Sequence, residues 1–369
     1  MFVLMKKAII YFSITLFFSH FVFSQEQNKN LLVSEKTHYG FIIPHRSNIE
    51  ILIKGHIKMY EVVVSKPTFG AKQWQQIYGY PNVGLSLMSI DLANPEQLGN
   101  GFAIIPHINF SIMKKKYFKL NFRVGTGLGY FTKKFNPKDN YKNNIIGSSI
   151  NGSVSFLLEN KIRFSDRLSM ENGIGFTHFS NGSFTVPNLG FNLPTVNTGF
   201  SYLFGSVNKQ VKKDSIPPAP KKSYFSIILN GGLKELFPSG GPKYPAWTLM
   251  GTVDKPISYK SKLGVGLDLF YEPGLKNKFD LDTNIKTIRK MDYLQSGVNI
   301  SYAYTVDRLS LLLNMGSYLS TKYKGDGNFY HRIGLRYHFQ NRIIANLSIK
   351  THWAKADHIE LGIGYRLGD

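Results

Sequence analysis

A histidine and a serine lie two residues apart in the segment 177–182, which reads THFSNG. Residues i and i+2 of a β-strand point to the same face, so His178 and Ser180 can approach each other without a second element. Serine becomes a nucleophile only when a neighbouring base removes its proton. Histidine is the side chain that most often takes this role. The pair is therefore half of a site for acyl transfer.

The loop that follows supplies the other groups such a site needs. It reads PNLGFN over residues 187–192. A catalytic histidine must be oriented by a third group, and we predict that Asn192 orients His178. A tetrahedral intermediate also needs hydrogen-bond donors for its oxyanion. The predicted donors are the amides of Asn181, Gly182 and Asn188. An alternative for Asn188 and Asn192 is a structural role, because asparagine is common in turns.

Strands of a membrane barrel are the elements predicted to position these residues. Large apolar residues alternate with polar residues or glycine over 118–130, 168–180, 197–204 and 359–367. This pattern is typical of transmembrane barrels, with apolar side chains outward. Many segments reach the roughly ten residues that a tilted strand needs to cross a bilayer. Short and long connections also alternate, as inner turns and outer loops do in such barrels.

The sequence therefore predicts an all-β fold, an antiparallel transmembrane β-barrel of about 14 strands, with roughly 12 to 16 possible. The barrel is expected to occupy residues 82–369. Residues 25–81 are expected to form either a periplasmic segment or extra strands. The basic, proline-containing stretch 206–222 lies where a short inner turn is expected.

The first 24 residues have the pattern of a secretory signal peptide, with Lys6 and Lys7 before an apolar stretch that ends at Phe23. Cleavage is expected before Gln25. The chain has no cysteine, which excludes disulfides and thiol nucleophiles. Its formal net charge of +22 suits a polyanionic neighbour such as phosphorylated lipid headgroups. No nucleic-acid signature or metal-ligand spacing is found, so we expect neither nucleic acid nor a metal or cofactor as a partner.

The same alternation predicts which way the pair faces. A tight turn at residues 165–167 precedes the strand, so His178 and Ser180 are predicted at its outer end. They share the parity of Leu168 and Ile174, which places them on the lipid-facing side. Polar groups are costly on such a face. A substrate that is itself a membrane lipid would explain them.

These motifs resemble the outer-membrane lipid A 3-O-deacylase family, within the wider acyloxyacyl hydrolase group. The similarity is carried by residues 178–181 and 187–190 and is strongest over about 118–205. It implies an antiparallel barrel whose site lies on the lipid-facing surface near the extracellular end. It also implies that Ser180 is the nucleophile, that His178 is the base and that Asn181 contributes to the oxyanion hole.

The chain departs from the family pattern at one position. The family has an acidic residue two positions after the glycine of the loop, where this sequence has Asn192. An asparagine oxygen can accept the imidazole N–H and fix its tautomer, but it offers no negative charge.

The function predicted on these grounds is that of an outer-membrane serine esterase, a carboxylic ester hydrolase that removes an ester-linked acyl chain from the lipid A part of lipopolysaccharide. One alternative is a non-catalytic barrel, either a lipid-binding protein or a pore lined by Lys119, Arg123 and Glu171. A second alternative is a soluble exported all-β binding protein. The stretch His45–Asn48 repeats the local histidine-serine pattern without the following loop, so we predict no catalytic role for it.

Overall fold

A computed structural model describes residues 30–207, 210–282, 285, 287–353 and 355–367. The predicted signal peptide lies outside these ranges. No helix in the described chain is long and apolar enough to cross a membrane.

Sixteen strands make up most of the regular structure in these ranges. The first eight are β1 (Leu31–Gly40), β2 (Ile57–Pro67), β3 (Asn82–Asp91), β4 (Asn100–Lys114), β5 (Phe118–Phe131), β6 (Ile150–Arg163), β7 (Leu168–Ser180) and β8 (Phe191–Phe204). The second eight are β9 (Tyr224–Glu235), β10 (Lys243–Pro256), β11 (Ser261–Tyr271), β12 (Leu294–Val306), β13 (Leu309–Ser320), β14 (Phe329–His338), β15 (Ile343–His352) and β16 (Lys355–Leu367). The short helices are α1 (Ser47–Glu50), α2 (Gln73–Ile77), α3 (Leu275–Asp280) and a 3-10 turn (Lys290–Tyr293).

The strands close into two separate barrels of eight. All neighbours are antiparallel, and β1 pairs with β8 to close barrel 1, while β16 pairs with β9 to close barrel 2. The expectation of one barrel of about fourteen strands over residues 82–369 is not confirmed. Residues 31–67 supply the two additional strands, β1 and β2. The alternation of apolar and polar residues shows which face of a strand a side chain occupies. Closure of a barrel depends instead on pairing between strands far apart in sequence.

Each barrel has an apolar exterior and a polar interior. On β7, Leu168 and Ile174 are exposed, whereas Ser169, Glu171 and Thr177 are buried inside. This is the arrangement that suits a barrel surrounded by lipid. The alternation predicted from the sequence therefore orients β7 correctly.

The interior of barrel 1 is filled by paired charges. Lys36 Nζ lies 2.5 Å from a Glu159 oxygen and 2.8 Å from Glu171, and Arg123 donates to both oxygens of Glu61 at 2.8 Å. An eight-stranded barrel has an interior just wide enough for side chains to fill. Arg123 and Glu171, which the pore hypothesis places along a passage, instead belong to this packed ion-pair network.

Loops of unequal length mark the two ends of the barrels. The end that carries connections 132–149 and 181–190 of barrel 1 and 272–293 of barrel 2 is called the long-loop end. The opposite end carries turns such as 115–117, 164–167 and 307–308. This rhythm was predicted, and by the general rule the long loops face outward from the cell.

An aromatic cluster closes barrel 1 at the long-loop end. The Phe131 ring lies 5.1 Å from Phe179 and 4.9 Å from Phe191, and all three side chains are fully buried. Phe179 comes from β7 and Phe191 from β8, directly opposite each other. The cluster therefore anchors the ends of the two strands whose outer face carries the predicted site.

The stretch 205–223 connects the two barrels at the short-turn end. Lys212 N–H donates to Phe69 O at 2.8 Å, and Tyr259 Oη donates to Pro217 O at 2.6 Å. The linker thus contacts both barrels. The basic stretch that fitted poorly as a turn inside one barrel is the connection between two.

The barrels also touch directly at this end. Tyr78, just after α2, donates its hydroxyl to Thr305 O, and its ring lies 5.6 Å from Tyr304. Lys260 Nζ lies 4.9 Å from the centre of the Tyr78 ring. Burial, with Tyr304 alongside, raises the pKa of the Tyr78 phenol, so it remains a neutral donor.

Candidate active site

The predicted pair lies on the outer face of β7 at its long-loop end. His178 is opposite Val154 on one neighbouring strand and Asn192 on the other, and Ser180 is opposite Gly152. Both side chains are half-buried. The intervening Phe179 points inward, which leaves its neighbours on the outer surface.

The strand register brings His178 and Asn192 into contact. His178 Nδ1 lies 2.7 Å from Asn192 Oδ1, so the ring donates its Nδ1–H to the amide oxygen. Nε2 then carries no proton, and it has no hydrogen-bond partner in the described chain. A free, unprotonated Nε2 is the atom that a base next to a serine must present.

Ser180 lies one strand repeat of two residues, about 6.6 Å of backbone, beyond His178 on the same face. Within the described residues its hydroxyl makes no hydrogen bond to the His178 ring. Contacts of this kind are often long before substrate binds. A rotation of the two side chains toward each other is needed for the proton to pass.

The loop after Ser180 is held by its own asparagines. Asn181 N–H donates to Asn188 Oδ1 at 3.0 Å, and Asn181 Nδ2 donates to Ser148 Oγ at 2.9 Å. The amides of Asn181 are therefore engaged in fixing the loop. Among the predicted oxyanion donors, the backbone N–H of Gly182 and Nδ2 of Asn188 have no partner in the described chain.

Gly190 approaches the pair from the loop and was not predicted as a site residue. Its φ is +79°, and a Cβ there would lie 2.8 Å from His178 Cε1 and 3.4 Å from Ser180 Cβ. Only glycine fits such a backbone and such a contact. The signal in the sequence is the glycine that ends the PNLG motif at residues 187–190.

His45 is a second residue that sequence reasoning missed. Its Nδ1 lies 3.1 Å from Asn192 Nδ2, and its Nε2 lies 3.1 Å from Leu189 O. The connection after β1 reaches the site because Ile43 N–H donates to Asn192 O at 3.0 Å. The His45–Asn48 stretch, set aside in the sequence, therefore contributes its histidine to the same cluster.

Gly152 leaves open space beside Ser180. The nearest atom to a Cβ built on Gly152 is Ser180 O at 3.5 Å, and no other outside its chain neighbours lies within 4 Å. Leu128, opposite Gly152 on β5, and the adjacent Ile150 are both exposed on the same barrel. The gap thus opens onto an apolar outer surface, which suits an acyl chain.

Barrel 2 holds the loop that follows Ser180. Lys243 Nζ donates to Phe184 O at 2.6 Å and to Thr185 Oγ1 at 3.2 Å. Ser183 Oγ donates to Ala356 O at 2.9 Å, and Ser183 O accepts from Glu235 N–H at 2.9 Å. The loop that begins with Asn181 is therefore fixed from outside barrel 1.

Sequence models of one family match both barrels. The model described as lipid A 3-O-deacylase (PagL) matches residues 58–201, and the model described as acyloxyacyl hydrolase, C-terminal domain, matches residues 223–369. The chain belongs to the PagL family. The resemblance inferred from the motifs is thereby confirmed. The first match falls within barrel 1, where the His178 cluster lies, and the second covers barrel 2.

The solved structures that resemble this PagL-family chain do so only weakly. CdiB from Acinetobacter baumannii has a TM-score of 0.18 and 10% identity, and the alignment covers 93% of this chain but 61% of that one. A triple mutant of Rhodopseudomonas blastica porin has a TM-score of 0.17 and 7% identity, with 91% and 99% covered. The siderophore receptor PirA from Pseudomonas aeruginosa has a TM-score of 0.20 and 9% identity, with 93% and 82% covered. TM-scores this low carry no argument. A comparison with curated proteins gives no match.

Membership of the PagL family connects the protein with deacylation of lipid A in the outer membrane. The apolar exteriors of both barrels agree with that location. The substrate class therefore matches the outward orientation of the pair, because a lipid reaches such a site from the membrane.

Barrel 2 of this PagL-family chain has no equivalent pair on its seventh strand. His352, near the end of β15, is buried inside the barrel, where Tyr318 Oη lies 2.8 Å from its Nε2. The neighbouring outward position is taken by Trp353, which is exposed. The histidine that ends β15 thus has the opposite parity from His178.

A cluster inside barrel 2 has residue types that bind metals, but lysine side chains already neutralise its carboxylates. Ligand atoms of Glu272, Asp357 and His358 lie within 4.8 Å of one another. Lys234 Nζ lies 2.5 Å from Glu272 and 2.7 Å from Asp357, and Lys350 Nζ lies 2.6 Å from Glu272. Two ammonium groups occupy the carboxylates that a cation would need.

Proposed function

We propose that the protein is an outer-membrane serine esterase that hydrolyses an ester-linked acyl chain of lipid A, of the 3-hydroxyacyl type. Ser180 is the nucleophile, His178 is the general base and acid, and Asn192 orients the His178 ring. The observation that carries the proposal is the 2.7 Å contact between His178 Nδ1 and Asn192 Oδ1. It fixes the tautomer whose basic nitrogen is available to a serine on the same face.

The reaction follows from these roles. Ser180 Oγ attacks the ester carbonyl while His178 Nε2 takes its proton, and a tetrahedral oxyanion forms. His178 then returns the proton to the sugar oxygen, which leaves as a hydroxyl and gives an acyl-serine. A water molecule, deprotonated by His178, attacks this ester and releases the fatty acid, and the proton returns to Ser180.

The oxyanion needs donors that are not already engaged. The backbone N–H of Gly182 and the Asn188 side-chain amide meet this condition in the described chain. Removal of one such donor typically costs about 10²- to 10³-fold in rate. In this proposal Asn181 acts on the oxyanion through the loop that it fixes.

The substrate approaches along the outer wall of barrel 1. The gap at Gly152 admits the ester next to Ser180, and the exposed side chains of Leu128 and Ile150 contact the acyl chain. The lipid A phosphates are attracted by exposed basic residues of the long-loop end. On barrel 1 they include Arg46, Lys133, Lys134, Lys138 and Lys142.

Mass spectrometry of lipid A tests the proposal. Cells that express the wild-type protein are compared with cells that express Ser180→Ala or His178→Ala at equal levels in the outer membrane. We expect loss of one acyl mass with the wild type only, since either substitution should lower the rate at least about 10³-fold. Unchanged lipid A with all three proteins would contradict the proposal, as would full activity of Ser180→Ala.

The pore alternative is disfavoured by the barrel interiors. Arg123 and Glu171 of barrel 1 are buried in ion pairs, and in barrel 2 Arg332 lies 2.9 Å from Asp268 and 2.8 Å from Glu360. Moving ions through either barrel would require these charges to separate. An outward-facing catalytic site needs no passage.

A further inference from the structure

His45 contacts the side of Asn192 that faces away from His178. Asn192 Nδ2 and His45 Nδ1 are 3.1 Å apart, and His45 Nε2 is 3.1 Å from Leu189 O. The Asn192 side chain therefore lies between two imidazoles, one at its oxygen and one at its nitrogen. In the described chain no other hydrogen bond engages this amide.

The hydrogen-bond roles along this series are mutually consistent. The amide nitrogen of Asn192 can only donate, so in the 3.1 Å contact His45 Nδ1 accepts and carries no proton. The same Nδ1 also lies 3.3 Å from Ile43 O, and with no proton on Nδ1 this second, longer contact is not a hydrogen bond. His45 then bears its proton on Nε2, which is the atom that faces the Leu189 carbonyl oxygen. At the other end the amide oxygen faces His178 and accepts its Nδ1–H. With the His45 proton on Nε2, each contact between Asn192 and the two rings has one donor and one acceptor.

We infer that His45 is a positioning residue that holds the Asn192 amide in the orientation catalysis requires. This inference rests on the proposed function. An amide has two different ends, unlike a carboxylate. Reversed, Asn192 would present Nδ2–H to His178 Nδ1, and the His178 proton would move to Nε2. That nitrogen could then no longer accept a proton from Ser180.

The role explains how an asparagine replaces the acidic residue of the PagL pattern. A carboxylate offers an oxygen to the histidine whichever way it rotates, so it needs no second partner. An amide needs a neighbour that can accept a hydrogen bond from its nitrogen. His45 is such a neighbour when its Nε2–H donates to Leu189 O, because Nδ1 is then an acceptor. Backbone pairing of Ile43 with Asn192 keeps that neighbour in place.

A double-mutant comparison isolates this role from simple support of the loop. His45→Ala is made in the native chain and in a chain that carries Asn192→Asp, whose two oxygens are equivalent. In the native chain we expect His45→Ala to lower kcat about tenfold with little change in KM, because the amide can then reverse. In the Asn192→Asp chain the same change should alter kcat less than twofold.

Two further variants complete the experiment. His45→Gln retains an oxygen that can accept from Asn192 Nδ2, and we expect a kcat within about threefold of the native value. His56→Ala removes an exposed histidine from the same connection between β1 and β2. Its ring contact in the described chain is with Tyr39, so this change should leave kcat unchanged. Heat-modifiable migration on gels verifies that every variant is folded.

Equal losses from His45→Ala in both chains would overturn the inference, because a merely structural role does not depend on the symmetry of residue 192. No loss in the native chain would overturn it as well. Failure of the proposed function looks different: the wild-type protein would then release no more fatty acid than Ser180→Ala, whatever residue stands at position 45.

Discussion

Asn192 gives His178 an orienting partner without a negative charge. The 2.7 Å contact to Oδ1 supplies geometry, whereas a carboxylate would also stabilise the imidazolium that forms when Ser180 loses its proton. The site therefore depends more on having the correct tautomer than a site with an acidic residue does. Under the proposed function, a second contact to the same amide, from His45, should therefore affect the rate.

Gly190→Ala should inactivate the site while the barrel stays folded. The new Cβ would lie 2.8 Å from His178 Cε1, so the ring must move. Misplacement of about 1 Å can cost about 10²-fold in rate, and we expect a loss of that size in kcat, measured by fatty-acid release.

Gly327→Ala is the matched control for this prediction. Its φ of +83° is close to the +79° of Gly190, but nothing lies within 4 Å of the added atom. Both variants place an alanine at positive φ, which costs about 1 kcal/mol. Gly190→Ala should lose more stability than this, because its Cβ would also lie 2.9 Å from Phe179 O. Equal activities of the two variants would show that the Gly190 contact is unimportant.

At the residue scale, local spacing alone predicts which candidate residues share a face of the sheet. His178 and Ser180 follow from the two-residue period, and Asn192 follows from its place across one hairpin. His45 was not predictable in this way, because it reaches the site through pairing of residues more than 140 positions apart. Such pairing leaves no local pattern in one sequence.

The hairpin of β7 and β8, with β6 beside it, is the element that builds the site. Two strands place the histidine opposite its orienting amide, and the third leaves a gap opposite the serine. The buried phenylalanines on the inner face hold these strands together at the same level. Apolar packing inside the barrel thus fixes polar geometry outside it.

Gly152→Ile should block the substrate without disturbing the strand. β-branched residues suit strands, and the nearest atom to the new Cβ is an ordinary contact at 3.5 Å. The side chain would fill the gap beside Ser180, so we expect kcat/KM for lipid A to fall at least about tenfold.

Gly251→Ile provides the comparison on barrel 2, where the nearest atom, from Phe225, is 3.6 Å away. It should retain full activity. If both isoleucine variants hydrolyse lipid A at the wild-type rate, the substrate does not approach Ser180 through the Gly152 gap.

At the element scale, the period-two pattern predicted fourteen of the sixteen strands close to their observed positions. β1 and β2 were only an alternative, because their region also contains α1 and the irregular connections around it. Strand position is a local property of the chain. To close the barrels, β1 pairs with β8 and β9 pairs with β16, and in each case the partner is the last strand of that barrel in the sequence. The alternation of apolar and polar residues carries no information about this pairing.

The two barrels are joined at both ends, and one of these contacts includes the loop after Ser180. A Cβ on Gly182 would lie 2.4 Å from Ile359 of barrel 2, so the loop backbone packs closely against the second barrel. Lys243 adds two hydrogen bonds to the same loop. Barrel 2, whose seventh strand has no equivalent pair in the described chain, therefore supports the candidate site of barrel 1.

Lys243→Met should loosen this loop from a distance. The change keeps most of the length of the side chain. It removes the donors to Phe184 O and Thr185 Oγ1 and the ion pair with the buried Glu235 carboxylate. We expect faster amide hydrogen exchange over residues 182–185 and a several-fold lower kcat, because the oxyanion donors lose their fixed position.

Lys276→Met serves as the control, since Lys276 is exposed and its one ion pair in the described chain is with Asp280 on its own helix. It should change neither quantity. Unaltered exchange and rate in Lys243→Met would show that the second barrel does not act on the site.

At the scale of the whole molecule, one feature of the sequence does not fit a single barrel and indicates two. The stretch 206–222, with its lysines and prolines, was too long for an inner turn. Pro217, Pro218 and Pro220 remove the N–H donors from three of four consecutive residues, which disfavours a strand there. Whether strands close on each side of such a break is decided by long-range pairing, which only the structure reveals.

Under the proposed function, the outward placement of His178 and Ser180 determines how the enzyme would meet its substrate. Lipid A arrives by lateral diffusion in its own leaflet, so the encounter is two-dimensional. Turnover then follows the mole fraction of lipid A among its neighbours, not its bulk concentration. The released fatty acid and the deacylated lipid leave along the same plane. Crowding of the leaflet by other molecules therefore slows the reaction.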